Sequence, residues 1–123
     1  FRVIVNKSTV PVGSGNWVEM LVHQGQQAVA SVPARGARNE QSRYTVVSNP
    51  ESLREGSALH DALDPDRIVV GSNDPDVVSK MRNLYEPLLK QDFEPPKFMP
   101  RPEGFPSVPF VVTDLASAEM IKY

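Results

Sequence analysis

The chain has 123 residues, which is enough for one modest domain with its own hydrophobic core. Thirteen Lys and Arg residues against fifteen Asp and Glu give a formal charge of -2, so no basic field favours nucleic acid or an anionic membrane. The sequence has no apolar run long enough to span a membrane and no signal peptide, and we expect a cytoplasmic protein. The absence of cysteine excludes disulfides and any thiol nucleophile within these residues.

Strands and helices alternate along the first half of the chain. Residues 2–6 form a β-branched run typical of a strand buried on both faces of a parallel sheet. A helix is predicted to begin at residues 13–16 and to stop at Gly25, with apolar or long side chains at helical spacing: Trp17, Met20, Leu21 and Gln24. Residues 28–32 predict a weak strand, 33–39 a loop, and 44–48 a second strand that ends at Asn49-Pro50.

The second half continues the alternation. A short helix is predicted over 52–61 and a third strand over 67–71. Residues 75–90 form the clearest amphipathic helix, because apolar side chains recur on one stripe: Val77, Val78, Met81, Leu84, Tyr85, Leu88 and Leu89. After a proline-rich stretch, residues 109–113 predict a fourth strand and Ser117 opens a last helix.

This alternation predicts an α/β fold with a Rossmann-like parallel sheet and flanking helices. The first strand starts close to the first residue, there is no initiator Met, and the last helix is short. We therefore expect a partial domain from a longer protein.

Two candidate functional segments follow strands. Glu51 and Glu55 would share one face of the helix predicted over 52–61, either as solvated acids favoured by the helix dipole or as functional groups at a carboxyl edge of the sheet, where α/β proteins bind ligands. Ser8 and Thr9 precede a helix start, where hydroxyls and free N–H groups can hold a phosphate or a water, although a turn stiffened by Pro11 fits equally.

Two other kinds of site are disfavoured by spacing. The sequence Gly13-Ser14-Gly15 lacks the third glycine of a dinucleotide fingerprint, so we reject it as a cofactor loop. His23 and His60 have no partner at ligand spacing, and no metal site is predicted.

Five ordered motifs together resemble one enzyme family. They are K-S-T-V-P-V-G at 7–13, S-N-P-E-x-L-R-E-G-S-A-x-x-D at 48–61, P-D-R-I-V-V-G at 65–71, L-Y-x-P at 84–87 and T-D-x-x-S-A-E-M-I-K-Y at 113–123. Their order resembles that of the UDP-glucose 6-dehydrogenase family of NAD-dependent nucleotide-sugar dehydrogenases. The resemblance implies that 1–115 is the C-terminal half of an NAD-binding Rossmann-type domain, with 94–109 as a Pro-rich inserted loop, and that 116–123 starts a central connecting helix.

The resemblance also implies site residues, with NAD as cofactor and a UDP-sugar as substrate. Thr9 would position the hydrolytic water, Glu51 would transfer protons, and Lys122 would stabilise an oxyanion. Ser8, Thr9 and Glu55 would contact NAD, and the substrate would be bound by Lys122 and by the segment Glu51, Ser52, Leu53, Arg54 and Glu55. The full-length enzyme would be a homodimer.

The implied reaction is oxidation of UDP-glucose to UDP-glucuronate with two NAD, and it requires a cysteine and a G-x-G-x-x-G loop that these residues lack. We therefore expect this chain alone to be inactive. The position after Glu51, usually a large aromatic in the family, is Ser52, so the identity of the sugar in the substrate stays undecided. GDP-mannose and UDP-N-acetylhexosamine oxidation are alternatives, as is a non-catalytic nucleotide- or protein-binding module that uses the loop 94–109.

Overall fold

The structure, a computed structural model, describes residues 1–30 and 43–122. Four strands and four helices alternate along the chain in the order β1 (Arg2–Asn6), α1 (Ser14–Ala30), β2 (Tyr44–Ser48), α2 (Ala58–Leu63), β3 (Ile68–Gly71), α3 (Pro75–Lys90), β4 (Phe110–Thr113) and α4 (Leu115–Ile121). The predicted bounds of β1, β2 and α3 are confirmed to the residue, because each of these elements has an unambiguous apolar period and a clear end signal.

The sheet has the strand order β1-β2-β3-β4, and it is mixed rather than wholly parallel. The pairs β1/β2 and β3/β4 are parallel, whereas β2 and β3 meet in antiparallel sense through Ser48 and Gly71. Within the described residues this antiparallel pairing consists of one residue pair, between the last residue of β2 and the last residue of β3. The α/β class with flanking helices is confirmed.

Three helices differ from the sequence prediction, the last of them α4, which begins at Leu115 after the Asp114 N-cap rather than at Ser117. Helix α1 continues through Gly25 to Ala30, so the weak strand over 28–32 is wrong for residues 28–30; the rest of that strand and the loop 33–39 lie outside the described residues. A helical glycine costs only about 1 kcal/mol, which packing of α1 on β2 and α4 can offset. Helix α2 begins at Ala58 rather than at 52, because the side chain of Asp61 holds the preceding segment in an irregular conformation.

The core lies between α3 and the sheet. Its buried members are aliphatic side chains and one methionine: Val47, Ile68, Val70, Val77, Met81, Leu89 and Val108. Helix α3 is oriented by its N-cap, where the Asp74 side chain accepts hydrogen bonds from the N–H groups of Asp76 and Val77. Five of the seven residues of the predicted α3 stripe belong to this core or pack against it, namely Val77, Met81, Tyr85, Leu88 and Leu89, whereas Leu84 is 69% exposed.

Strand β1 and helix α1 are less buried than their sequences indicate. The expectation that β1 is buried on both faces is wrong, since in the described part of the chain it lies at the edge of the sheet beside β2 and its residues are half-buried or exposed. On α1, the predicted stripe faces outward: Trp17 is 66% exposed and Leu21 is 54% exposed, while Val18 and Val22 lie toward the sheet.

The proline-rich stretch 94–109 contains no helix or strand and returns the chain from α3 to β4. Arg101 fixes it to the end of α3, donating through Nε to Gln91 Oε1 (3.0 Å) and through Nη2 to the carbonyl of Phe93 (2.8 Å). Val108 then enters the core and its N–H donates to the carbonyl of Leu89 at 3.0 Å. The surface loop expected from the sequence is therefore packed at both ends.

Candidate functional site

The carboxyl ends of β1 and β2 lie side by side and bring the first two candidate segments together. The N–H of Asn49 donates to the carbonyl of Asn6 at 2.8 Å, which continues the parallel ladder past the end of both strands. Ser8 and Thr9 leave from one strand end, and Glu51 leaves from the other. Open α/β sheets bind ligands outside such strand ends.

Helix α4 adds the third segment. Lys122, directly after the helix and half-buried, donates from Nζ to the main-chain carbonyl of Glu51 across 71 positions of sequence. The ammonium of Lys122 is thereby held at the main chain of Glu51, whereas within the described residues it forms no ion pair with the Glu51 carboxylate, which is exposed and accepts no hydrogen bond there. The structure thus brings the two residues together through a main-chain contact, and their roles stay a prediction.

A second contact of α4 involves Glu119, one turn before Lys122. Its carboxylate accepts from the N–H of Gly13 and from the N–H of Gly15, both at 2.6 Å, and the residue is only 2% exposed. These two amides flank the first residue of α1. The helix that carries Lys122 is thus also fixed to the turn that follows Thr9.

A cavity of about 400 Å³ opens beneath the segment after β2. Its walls come from that segment, from α2, from the start of β3, and from Tyr85 and Leu88 in the last turns of α3. Four of the six residues predicted to bind the substrate line it, Glu51, Ser52, Leu53 and Arg54, whereas Lys122 does not. Glu55 does not line the cavity and is exposed.

One wall of the cavity is a polar network. Lys7 donates from Nζ to Asn49 Oδ1 (3.1 Å) and to the Tyr85 hydroxyl (2.9 Å), and that hydroxyl donates to the same Oδ1. Asn49, 2% exposed, in turn donates from Nδ2 to the carbonyl of Val69 at 2.8 Å. The lysine of the first motif is therefore tied to the asparagine of the second.

The opposite wall is ordered by an ion pair. Arg54 Nη2 lies 2.7 Å from Asp61 Oδ1, and both the Arg54 Nε (3.1 Å) and its backbone N–H (2.8 Å) donate to Asp61 Oδ2. The hydrogen bonds from the Arg54 side chain, followed by the one from its backbone, hold the pKa of Asp61 well below its ordinary value. The same hydrogen bond raises the pKa of Arg54.

The remaining predicted site residues are placed less closely. Ser8 and Thr9 are exposed, and within residues 1–30 and 43–122 no hydrogen bond joins Thr9 to Glu51 or Lys122. The expectation that Glu51 and Glu55 share a helical face is wrong, because both precede α2. In the described part of the chain, no three His, Asp or Glu side chains are grouped as a metal site.

Sequence reasoning gave no role to several residues that organise this site: Lys7, Asn49, Asp61, Tyr85 and Glu119. Each lies inside one of the five motifs, so the motifs themselves were the available signal. The side-chain hydrogen bonds of Lys7, Asn49, Tyr85 and Glu119 join residues 20 to 106 positions apart, and no local period shows such pairings.

These elements define a Rossmann-like α/β protein whose candidate site lies at the carboxyl ends of β1 and β2. Residues 1–89 match the NAD binding domain of the UDP-glucose/GDP-mannose dehydrogenase family. The chain belongs to this family.

Named relatives agree. The chain is 37% identical to a UDP-glucose 6-dehydrogenase of Bacillus subtilis over 123 residues, covering 100% of the chain and 20% of that protein. It is 40% identical to a UDP-glucose 6-dehydrogenase of Rickettsia typhi over 121 residues, covering 98% and 21%. The chain thus spans about a fifth of the length of these relatives.

Solved structures give the same result at the level of the fold. A UDP-glucose dehydrogenase from Pyrobaculum islandicum superimposes with a TM-score of 0.68 at 30% identity, covering 99% of this chain and 22% of that one. A GDP-mannose dehydrogenase from Pseudomonas aeruginosa, at 23% identity, gives 0.65 over 100% of this chain and 22% of that one, and so shares the fold. Within the described residues, every helix is too short or too polar to cross a bilayer.

Proposed function

We propose that the full-length protein is an NAD-dependent dehydrogenase that oxidises the C6 alcohol of UDP-glucose to a carboxylate, forming UDP-glucuronate. The observation that carries this proposal is the contact of the Lys122 ammonium with the main-chain carbonyl of Glu51, since it brings residues from two motifs of the family together in one place. Family membership and the two UDP-glucose 6-dehydrogenase relatives support the substrate.

Glu51 is proposed as the proton acceptor and Lys122 as the group that stabilises the substrate oxygen. The exposed Glu51 carboxylate is free to take the proton of the C6 hydroxyl while a hydrogen bonded to carbon C6 leaves as hydride. The adjacent ammonium of Lys122 stabilises negative charge on that oxygen, an effect commonly worth about 3 kcal/mol per donor. In the second half of the reaction Thr9 would hold the water that attacks the oxidised carbon.

Two NAD molecules, bound in succession, would each accept one hydride in this four-electron oxidation. The residues present fit such a group, because the hydroxyls of Ser8 and Thr9 are exposed at a strand end and make no hydrogen bond within the described residues. Glu55, exposed on the neighbouring segment, is proposed as a further contact to it. The thiol on which the family traps its aldehyde is absent from these residues.

The substrate is proposed to lie against the segment Glu51 to Glu55. Four of these residues form the cavity, and Arg54 is fixed there by Asp61. A segment held in one conformation before the ligand arrives loses less entropy on binding, which favours affinity. We further propose that the full-length enzyme is a cytoplasmic homodimer, to be checked by light scattering after gel filtration.

The test is to express the complete reading frame and to follow NADH formation at 340 nm with UDP-glucose, GDP-mannose or UDP-N-acetylglucosamine. We expect turnover with UDP-glucose, and loss of roughly 100- to 1,000-fold in kcat for Lys122→Met. Lys90→Met is the matched control, because Lys90 is exposed and, within residues 1–30 and 43–122, pairs with Glu86 on α3 and not with a residue of the site.

Each result bears on a separate part of the proposal. Absence of NADH with all three sugar nucleotides would contradict the dehydrogenase assignment. Turnover with GDP-mannose alone would change the substrate, and a Lys122→Met enzyme as fast as the Lys90→Met control would remove the lysine from the mechanism.

A further inference from the structure

We propose that Glu119 is a positioning residue that fixes the turn carrying Thr9 relative to Lys122, an inference that rests on the proposed function. Its carboxylate and the N–H groups of Gly13 and Gly15 are called the Glu119 bridge. This bridge joins the start of α1 to α4 over more than 100 positions of sequence.

The Glu119 bridge lies in the interior of the protein. Glu119 is 2% exposed, and both of its oxygens are used, Oε2 by Gly13 and Oε1 by Gly15. A carboxylate is seldom buried unless hydrogen bonds replace the water it loses. The amides it accepts from lie at the N-terminus of α1, which has no partner for them within its own helix and is the positive end of its dipole.

The glycines are part of the same arrangement. A Cβ added at Gly15 would lie 3.1 Å from Glu119 Oε1 and 3.2 Å from Leu115 Cδ2, so α4 approaches α1 as closely as a glycine allows. Gly13 has a positive φ of 95°, a conformation that turns its N–H toward α4 and that other residues rarely adopt. The backbone of the turn after Thr9 is therefore shaped to meet this carboxylate.

The functional consequence comes from the short distance along α4. Lys122 follows Glu119 by one helical turn and contacts Glu51. Thr9 lies four positions before Gly13, and Val10, Pro11 and Val12 lie between them. The buried Glu119 carboxylate thus fixes the position of the Thr9 hydroxyl relative to the Lys122 ammonium. Misplacement of a catalytic group by about 1 Å can lower the rate about 100-fold.

The experiment compares Glu119→Gln and Glu119→Asp with wild type in the full-length protein. An amide oxygen can accept from only one glycine while its NH₂ group faces the other N–H donor, and an aspartate is one methylene too short to reach both. Glu86→Gln is the matched control, because it makes the same chemical change on the exposed side of α3. All kinetics are measured at a temperature at which circular dichroism shows each variant fully folded.

We expect both Glu119 variants to lose roughly 10- to 100-fold in kcat while KM for UDP-glucose changes by less than about threefold. A residue that only adds stability would leave kcat of the folded enzyme unchanged. In parallel, hydrogen exchange of the Gly13 and Gly15 amides should accelerate by about tenfold or more in both variants but not in Glu86→Gln.

The two readouts separate this inference from the proposed function. If wild type forms no NADH, the proposed function fails, and amide exchange at Gly13 and Gly15 still decides whether the bridge exists. Unchanged exchange in Glu119→Gln overturns the bridge. Accelerated exchange together with wild-type kcat shows a bridge without a positioning role, which also overturns the inference.

Discussion

At the scale of single residues, two glycines show how differently one residue type can be required. A Cβ at Gly71, the last residue of β3, would lie 2.5 Å from the Cβ of Ala118 and 2.7 Å from the carbonyl oxygen of Asp114. Helix α4 therefore lies directly on the strand end. A Cβ at Gly25, within α1, would have nothing within 4 Å. Close packing therefore requires a glycine at position 71, whereas at position 25 a glycine only lowers the stability of the helix.

We expect Gly71→Ala to destabilise the chain by about 2 to 3 kcal/mol, because backbone and α4 must move apart. Gly25→Ala should stabilise it by about 0.5 to 1 kcal/mol through helix propensity. Urea unfolding followed by circular dichroism measures both. Similar effects of the two changes would contradict the close docking of α4.

The residues of the candidate site were predictable only in part. Glu51 and Lys122 were paired by the resemblance to a family, and no spacing in the sequence links positions 71 residues apart. Glu119 reads locally as an ordinary helical acid next to Met120, because its burial depends on two amides that belong to the first helix. Whether Ser8, Thr9 and Glu55 contact NAD stays a prediction.

At the scale of elements, the segment between β2 and α2 shows how side chains can replace regular structure. Residues 51–54 have no helical or strand hydrogen bonding, and Asp61 holds them from α2 by accepting from Arg54 and from the Ser57 hydroxyl (3.2 Å). The sequence predicted a helix here since acids and leucines suit its period. Tertiary hydrogen bonds outweighed that weak local preference.

This arrangement predicts a defined pH dependence. The pKa of Asp61 is depressed in the folded chain, so its contribution to stability is complete above the unfolded value of about 3.9 and is lost as pH falls toward the folded value. Asp61→Asn should therefore lower the urea midpoint at pH 7 and at pH 5 equally, with the difference from wild type shrinking below about pH 4.

The control for this experiment is Glu103→Gln, since Glu103 is exposed and accepts no hydrogen bond within the described residues. It should leave the urea midpoint nearly unchanged at every pH. A deficit of Asp61→Asn that persisted undiminished at pH 2 would show that the ion pair with Arg54 is not its cause.

At the scale of the whole molecule, the alternation of strands and helices was predictable and the strand directions were not. Apolar runs at 44–48 and 67–71 each indicate a strand, but an apolar run carries no information about the direction of the neighbouring strand. The antiparallel pairing of β2 and β3 rests on one residue pair at the strand ends, Ser48 and Gly71. The exposure of Trp17 was equally beyond local reasoning, since a stripe on a helix does not name the face that the fold covers.

The 123-residue chain by itself should form no NADH from UDP-glucose and NAD. It carries the proposed proton acceptor and lysine but neither a cysteine nor a G-x-G-x-x-G loop. The absorbance at 340 nm is compared with that of the full-length protein at equal concentration. Turnover by the isolated chain would show that the chemistry needs no thiol from elsewhere.

The close seating of α4 has a consequence for how this sequence can change over time. A Cβ at Gly71 would lie 2.5 Å from the Cβ of Ala118 on α4, and one at Gly15 would lie 3.1 Å from Glu119 Oε1. Gly71 can therefore be enlarged only if α4 moves away, and Gly15 only if the Glu119 side chain gives way, and Lys122 directly follows the same helix. Substitutions where α4 contacts α1 and β3 should therefore be accepted mainly when a neighbouring residue changes at the same time. The rate of sequence change at these positions should be low even where the residue carries no charge and binds no ligand.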